Sequence, residues 1–175
     1  MKRFIYRIIR TLLFPLRRLY RRRNGVQTDT ERHEVPNDVL LGLVSEKLAE
    51  GHTAIIWVKG YSMRPFIEYG RDRVKLAFPK ELKVGDAVLA QIHPGHYVLH
   101  RIINIAGDEI ELQGDGNLRG TEHCTRSDVC GIVTEYIRPQ RTLLASNPQL
   151  CRRIRLWRKL RPVRRWLLAI YKCYV

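Results

Sequence analysis

The sequence predicts a mainly β fold: a curled, mostly antiparallel sheet, preceded by a short helix and flanked at both termini by basic amphipathic helices. Turn residues separate six short runs that are rich in strand-forming side chains. No helical stretches alternate with these runs, so a parallel α/β sheet is not indicated. The predicted strands cover residues 53–59, 72–78, 86–92, 97–105, 108–113 and 129–137.

A short amphipathic helix is predicted to lead into the sheet. Residues 24–36 are polar and rich in turn formers, which is typical of a linker. Asn37 and Asp38 then provide a helix start, and Gly51 provides a natural stop. Between them, one helical face carries the apolar side chains Leu40, Leu41, Val44 and Leu48.

The chain is long enough for one compact domain with a core. It has 175 residues, of which 45% are hydrophobic, and this composition argues against global disorder. No stretch approaches the roughly 18 consecutive apolar residues that a membrane-spanning helix needs. We expect the chain to divide into an arm, a linker, a folded domain and a second arm, at residues 1–23, 24–36, 37–140 and 141–175.

The net charge of +15 is concentrated at the two ends of the chain. Residues 1–23 and 151–175 each carry nine basic side chains and no acidic one. Apolar residues recur at helical spacing among these arginines, and the second arm adds the interfacial aromatics Trp157, Trp166, Tyr171 and Tyr174. We therefore expect both arms to bind an anionic membrane surface peripherally, on the cytoplasmic face.

Two alternative roles for the arms stay open. Nucleic acid also attracts arginine runs that are interleaved with aromatic residues. It does not require a stripe of Ile and Leu, so it is the less favoured partner. The second alternative is that one arm packs on the domain or on a partner subunit.

The four cysteines indicate free thiols. They form no C-x-x-C pair, and no histidine lies at zinc-site spacing from Cys124, Cys130, Cys151 or Cys173. We therefore expect no metal ion and no cofactor. Free thiols also favour a reducing compartment, in agreement with the cytoplasmic face of a membrane.

A series of short motifs follows a fixed order through the middle of the chain. The blocks are G-Y-S-M-R-P-F at 60–66, G-R-D-R-V at 70–74, V-G-D-A-V at 84–88, Y-V-L-H-R-I-I at 97–103, G-D-G-N at 114–117 and D-V-C-G at 128–131. In this order and spacing, the series closely resembles the superfamily of signal peptidases and LexA-like serine peptidases. The resemblance covers roughly residues 53–138.

The resemblance implies a LexA-like or signal-peptidase-like β fold and a serine endopeptidase that cleaves a leader or signal segment. Ser62 would be the nucleophile, and its backbone N–H would serve the oxyanion hole. His100 would be the general base, a position where many bacterial members have Lys and the archaeal and endoplasmic-reticulum branch has His. Asp115 matches an acidic position of that branch. The branch usually has a second acidic residue a few positions later, and Glu122 is the only carboxylate near that place. The third catalytic role therefore stays open between Asp115 and Glu122.

These residue types suit amide hydrolysis independently of the family. A serine hydroxyl becomes an effective nucleophile when a base takes its proton. Imidazole has an ordinary pKa near 6.5, so it accepts that proton without the large pKa shift that a lysine base requires. It needs an acceptor that selects its tautomer, and a third, acidic side chain would provide one.

The sequence departs from the family in two respects and leaves two further functions open. One residue is inserted in Gly70-Arg71-Asp72, and the membrane-spanning helix that signal peptidases usually carry is not expected. A LexA-like self-cleaving DNA-binding regulator would need a helix-turn-helix domain and an Ala-Gly or Cys-Gly site before Ser62, and neither is found. A non-catalytic binding module of the same fold is the second alternative, against which the presence of both Ser62 and His100 argues.

Overall fold

The computed structural model describes residues 37–173 and contains an open antiparallel sheet of eight strands with three α-helices. The predicted mainly β, antiparallel class is confirmed. The predicted arm at 1–23, the linker at 24–36 and Tyr174 lie outside the described residues. Within 37–173, no helix is both long enough and apolar enough to cross a membrane.

The elements follow one another along the chain with short connections. The helices are α1 (Asn37–Ala49), α2 (Pro148–Lys159) and α3 (Arg164–Lys172). The strands are β1 (Ala54–Trp57), β2 (Arg73–Ala77), β3 (Ala87–His93), β4 (His96–Ala106), β5 (Glu109–Gln113), β6 (Glu122–Thr125), β7 (Val129–Arg138) and β8 (Arg141–Leu144).

All six predicted strands are present, with ends that differ from the prediction by at most two residues. Strands β6 and β8 were not predicted from the sequence. Each has only four residues, and the sequences EHCT and RTLL carry too short a pattern to indicate a strand. Strand β8 lies within the segment 141–175 that was expected to be an arm.

Strand β7 lies in the middle of the sheet, whose order is β1-β2-β7-β3-β4-β5-β6, and β8 also pairs with β7. Helix α1 packs closely against β7. A Cβ atom at Gly131 of β7 would lie only 2.7 Å from Cδ1 of Leu48, so this position has room only for glycine. Val44 and Leu48 are buried as predicted, whereas Leu40 is exposed. Gly51 follows the helix with a φ of 88°, a conformation that suits a glycine helix stop.

Helices α2 and α3 complete the main hydrophobic core. Their apolar stripes are buried in the same cluster as residues of β2, β3 and β7, through Leu150, Ile154, Trp157, Leu167, Leu168 and Tyr171. The expectation that Trp157 and Tyr171 are interfacial aromatics is therefore wrong, and Trp166 is the exposed one, at 69%. Helical periodicity identifies an apolar stripe without identifying what covers it, and here the domain covers it.

Replacing Trp157 with Ala is expected to lower the free energy of unfolding by about 3–5 kcal/mol. The side chain is fully buried, and its Nε1 donates a 2.8 Å hydrogen bond to the backbone carbonyl of Asp115. Denaturant unfolding measures the change, with Trp166→Ala as the control that should stay within about 0.5 kcal/mol of wild type. Equal losses in the two variants would contradict the packing of α2 on the domain.

Candidate active site

Ser62 lies in a tight turn segment between β1 and β2. The backbone folds back on itself here, since the amides of Phe66 and Ile67 both donate to the carbonyl oxygen of Met63. Met63 is buried at 1% exposure and anchors the segment, while Ser62 is half-buried beside it. The hydroxyl-bearing residue is therefore held on an ordered turn whose apolar neighbours fix its backbone.

The G-D-G-N segment packs directly against the backbone of Ser62. The amide of Gly116 donates to the carbonyl oxygen of Ser62 at 2.6 Å. A Cβ atom at Gly114 would lie 2.6 Å from that same oxygen, and one at Gly116 would lie 2.9 Å from the carbonyl oxygen of Tyr61. Neither glycine has a positive φ, so close approach to the Ser62 turn is what requires them.

His100 is buried in β4 and is bound by Glu122. Its Nδ1 lies 2.8 Å from Oε2 of Glu122, which stands at the start of β6 with a side chain that is 30% exposed. An ionised carboxylate only accepts hydrogen bonds, so this contact requires the proton on Nδ1. In the neutral imidazole, the tautomer with this contact leaves Nε2 unprotonated, which is the form that a general base requires.

Asp115 binds Arg101, the residue that follows His100 in β4. Its two carboxylate oxygens accept hydrogen bonds from Nε and Nη2 of Arg101 at distances of 2.6 to 3.0 Å. Burial, the largest single cause, would lower the pKa of Arg101, but the charges and hydrogen bonds of Asp115 and Tyr136 together outweigh it and raise that pKa above its ordinary value. The structure thus brings Glu122 to His100, and it brings Asp115 to the neighbouring guanidinium.

The Arg101–Asp115 ion pair links the loop that contacts Ser62 to strand β4, which contains His100. Ser62 contacts the loop that contains Asp115, and that loop is bound to the residue next to His100. Arg101 also donates to the carbonyl oxygen of Gly85 at 2.7 Å. Sequence reasoning missed this role of Arg101, although an arginine inside an apolar strand was a visible signal that a buried carboxylate must face it.

Helices α2 and α3 donate hydrogen bonds to the G-D-G-N loop and to the turn after Ser62. Besides the contact of Trp157 with Asp115, Nη1 of Arg164 donates to the carbonyl oxygen of Asn117 at 3.2 Å. The hydroxyl of Tyr171 donates to Oε2 of Glu68 at 2.9 Å, and the Nε atom of Arg64 contacts that same carboxylate at 3.0 Å. The predicted C-terminal arm therefore supports the turn that follows Ser62.

The remaining polar residues that the motifs contain have structural partners. Asp72 accepts hydrogen bonds from Arg71 and from the amide of Glu68, as expected of a turn-forming residue. Oδ2 of Asp86 accepts from the amide of Lys83, and burial raises the pKa of the Asp86 carboxyl. Both side chains stabilise turns.

Among residues 37–173, no group of three His, Cys, Asp or Glu side chains is placed to hold a metal ion. The four cysteines are free thiols, and burial raises the pKa of the Cys124 thiol to about 11. The candidate reactive groups are Ser62, His100 and Glu122, and among residues 37–173 no hydrogen bond joins the Ser62 hydroxyl to His100. Comparison of the chain with protein-family models, with curated proteins and with solved structures gives no match.

Proposed function

We propose that this protein is a serine endopeptidase of the LexA-like and signal-peptidase-like type, closest to the Ser-His branch, which cleaves a leader or signal segment from a peptide or protein substrate. Ser62 is the nucleophile and His100 the general base. Glu122 is the residue that orients the base. The observation that carries the proposal is the 2.8 Å contact between Nδ1 of His100 and the carboxylate of Glu122. It supplies the tautomer and the charge compensation that an imidazole base needs.

The proposed reaction proceeds through an acyl-enzyme. Nε2 of His100 takes the hydroxyl proton of Ser62 while the oxygen attacks the carbonyl carbon of the scissile amide. The Ser62 backbone N–H donates to the resulting oxyanion. The imidazolium, stabilised by Glu122, returns its proton to the leaving amine as the carbon–nitrogen bond breaks. Water then attacks the ester with His100 as base, which releases the acid and restores the hydroxyl.

Strand β1 is suited to bind the substrate backbone. It is one of the edge strands of the sheet among the described residues, and the chain passes from it into the Ser62 turn. Ile55 and Trp57 project from this strand with exposures of 55% and 61%. An extended peptide that pairs with such an edge would gain main-chain hydrogen bonds and apolar contacts at alternate positions.

The first test is peptide cleavage by wild type, Ser62→Ala and His100→Ala. Each protein is incubated with candidate leader peptides, and the products are identified by mass spectrometry. We expect defined cuts from wild type alone, with both variants folded as judged by circular dichroism. Identical behaviour of all three proteins would refute the peptidase proposal and favour a non-catalytic binding module. A cut in the wild-type chain itself that Ser62→Ala lacks would instead indicate LexA-like self-cleavage.

Peripheral attachment to an anionic membrane is the second part of the proposal. Helices α2 and α3 expose basic side chains, among them Arg152, Lys159 and Arg165, and α3 also exposes the indole of Trp166. Guanidinium groups near an anionic lipid surface are attracted to it, and an exposed indole suits the headgroup region. The basic segment 1–23 would add a second contact of the same kind. Free thiols agree with the cytoplasmic face, where the substrate would be a peptide synthesised in the cytoplasm.

Vesicle co-sedimentation tests this attachment. Wild type should sediment with vesicles that contain anionic lipid, remain in solution with neutral vesicles and dissociate as salt is added. The triple variant Arg152→Gln, Lys159→Gln, Arg165→Gln should bind about tenfold more weakly or worse. Equal binding to anionic and neutral vesicles would refute the electrostatic attachment. Preferential binding to DNA in a parallel assay would favour nucleic acid as the partner.

A further inference from the structure

Three arginines line a pocket beside the start of α2, and Pro65 and Phe66 of the turn after Ser62 also line it. Arg138 and Arg141 come from the hairpin of β7 and β8, and Arg153 comes from the second turn of α2. The pocket encloses about 60 Å³. This is several times the roughly 10–15 Å³ that one water molecule needs, so a small polyatomic group fits.

The protein balances the charges of this pocket only in part, through the 4.0 Å ion pair of Arg138 with Asp72. Arg138 and Arg141 are direct cross-strand partners, an arrangement that costs stability when the two charges are alike. Burial lowers the pKa of Arg153, and the nearby charge of Arg141 lowers it further. Burial is likewise the main cause of the lowered pKa of Arg138. Each guanidinium would therefore be stabilised by an anion in the pocket.

Arg138 is the deepest of the three and has donor capacity left over. It is 7% exposed, and its Nη2 donates to the carbonyl oxygen of Phe66 at 2.9 Å. Its Nε has no hydrogen-bond partner within residues 37–173. The nearest carboxylate oxygen is that of Asp72, at 4.0 Å. A buried guanidinium with an N–H group that has no acceptor is costly, and an anion in the pocket would offset part of that cost through its charge.

Asp72 cannot neutralise the pocket, because it is already engaged elsewhere. Its two oxygens accept hydrogen bonds from Nε and Nη2 of Arg71 at 2.7 and 2.6 Å, and Oδ2 also accepts from the amide of Glu68. One carboxylate thus faces both Arg71 and Arg138, with Arg141 and Arg153 beyond them. The guanidinium groups of Arg141 and Arg153, which line the pocket, therefore keep an excess of positive charge.

The polar rim of the pocket comes from the first turn of α2. Oδ1 of Asn147 accepts hydrogen bonds from the amides of Gln149 and Leu150, so this side chain caps the helix. Asn147 and Gln149 both line the pocket, and their side-chain amides add neutral donors to the three guanidiniums. The positive end of the helix dipole adds to the same potential.

We propose that this pocket binds a phosphate group, supplied either by free inorganic phosphate or by the phosphomonoester headgroup of an anionic lipid. Guanidinium groups bind phosphate oxygens in bidentate pairs, and a dianion compensates several arginines at once. The site requires no catalysis at Ser62, so it is independent of the proposed peptidase activity. A lipid source would give the membrane-facing surface a specific contact in addition to its diffuse charge.

Isothermal titration of the full chain with inorganic phosphate is the primary test. Wild type should bind one phosphate, and Arg141→Gln and Arg153→Gln should each weaken binding by about tenfold or more. Arg155→Gln is the matched control, since it removes one arginine charge from α2 outside the pocket and should bind as wild type does. Arg141 and Arg153 are preferred for substitution because Arg138 also holds the Phe66 turn.

Vesicles distinguish the two sources. Phosphatidic acid presents a phosphomonoester and phosphatidylglycerol a phosphodiester, and the two vesicle types are matched in surface charge. A preference of wild type for phosphatidic acid that Arg141→Gln loses and Arg155→Gln keeps would identify the lipid headgroup. Phosphate binding without that preference would identify free phosphate. The proposal is overturned if wild type binds neither, or if Arg155→Gln weakens phosphate binding as much as the pocket variants do.

Discussion

Replacing Glu122 with Gln is expected to lower kcat/KM for peptide cleavage by about 10³ to 10⁴, the magnitude that follows from removing the acidic member of a Ser-His-acid triad. The amide that replaces the carboxylate can no longer stabilise the imidazolium, and its NH₂ group favours the wrong tautomer of His100. The change should appear mainly in kcat, because Glu122 acts through His100 and does not bind the substrate. Steady-state kinetics with a cleaved leader peptide measures it.

The matched control is Glu109→Gln, in the strand that pairs with β6. It removes one exposed carboxylate from the same hairpin and should leave kcat/KM within about twofold of wild type, because Glu109 pairs with Ala106, six residues along β4 from His100. Glu122→Asp, which keeps the charge, should retain more activity than Glu122→Gln. If Glu122→Gln cleaves at the wild-type rate, Glu122 is not the orienting residue. Because Ser62→Ala would still be inactive in that case, the result would leave the nucleophile unaffected.

Replacing Asp115 with Ala is expected to lower the free energy of unfolding by about 3–5 kcal/mol, because it strands a buried positive charge. Arg101 is 1% exposed and makes its side-chain ion pair with Asp115. Its guanidinium would keep its contacts with the carbonyl of Gly85 and with Tyr136, and would lose the three short hydrogen bonds to the carboxylate. Chemical denaturation, followed by tryptophan fluorescence, measures the loss.

Two controls separate the stranded charge from other effects. Glu50→Ala breaks a fully exposed ion pair with Lys47 and should leave stability unchanged within error. The double variant Arg101→Met, Asp115→Leu removes both charges and should recover much of the stability that Asp115→Ala loses. If Asp115→Ala is as stable as wild type, the pair does not hold the Ser62 loop against β4.

Together the two experiments separate the two carboxylates that the sequence left as alternatives. Glu122→Gln should impair cleavage with little effect on unfolding, whereas Asp115→Ala should impair folding first. The sequence could not make this distinction because Asp115 and Glu122 both follow β5 within ten residues. Only the pairing of β5 with β6 brings Glu122 to Nδ1 of His100. Only the burial of Arg101 in the folded chain shows that Asp115 is needed to neutralise its charge.

The strands were predictable for a local reason. Each of the six predicted runs carries its own alternation or its own β-branched content between turn residues, and such signals need no knowledge of the rest of the chain. Strands β6 and β8 carry no comparable signal. Strand β6 pairs with the free edge of β5, and β8 pairs with the end of β7 that extends beyond β3. These free edges exist only in the assembled sheet.

Local patterns in the chain were enough to predict the mainly β class, the positions of six of the strands along the chain and the helix before them. Which side chains meet became clear only in the folded molecule. Folding brings Glu122 to His100 and Asp115 to Arg101, buries the apolar stripes of α2 and α3 in the core, and gathers three arginines around one pocket. The physical reason is that periodicity and composition are local, whereas the partner that covers an apolar stripe or neutralises a charge is set by contacts between residues distant in the chain.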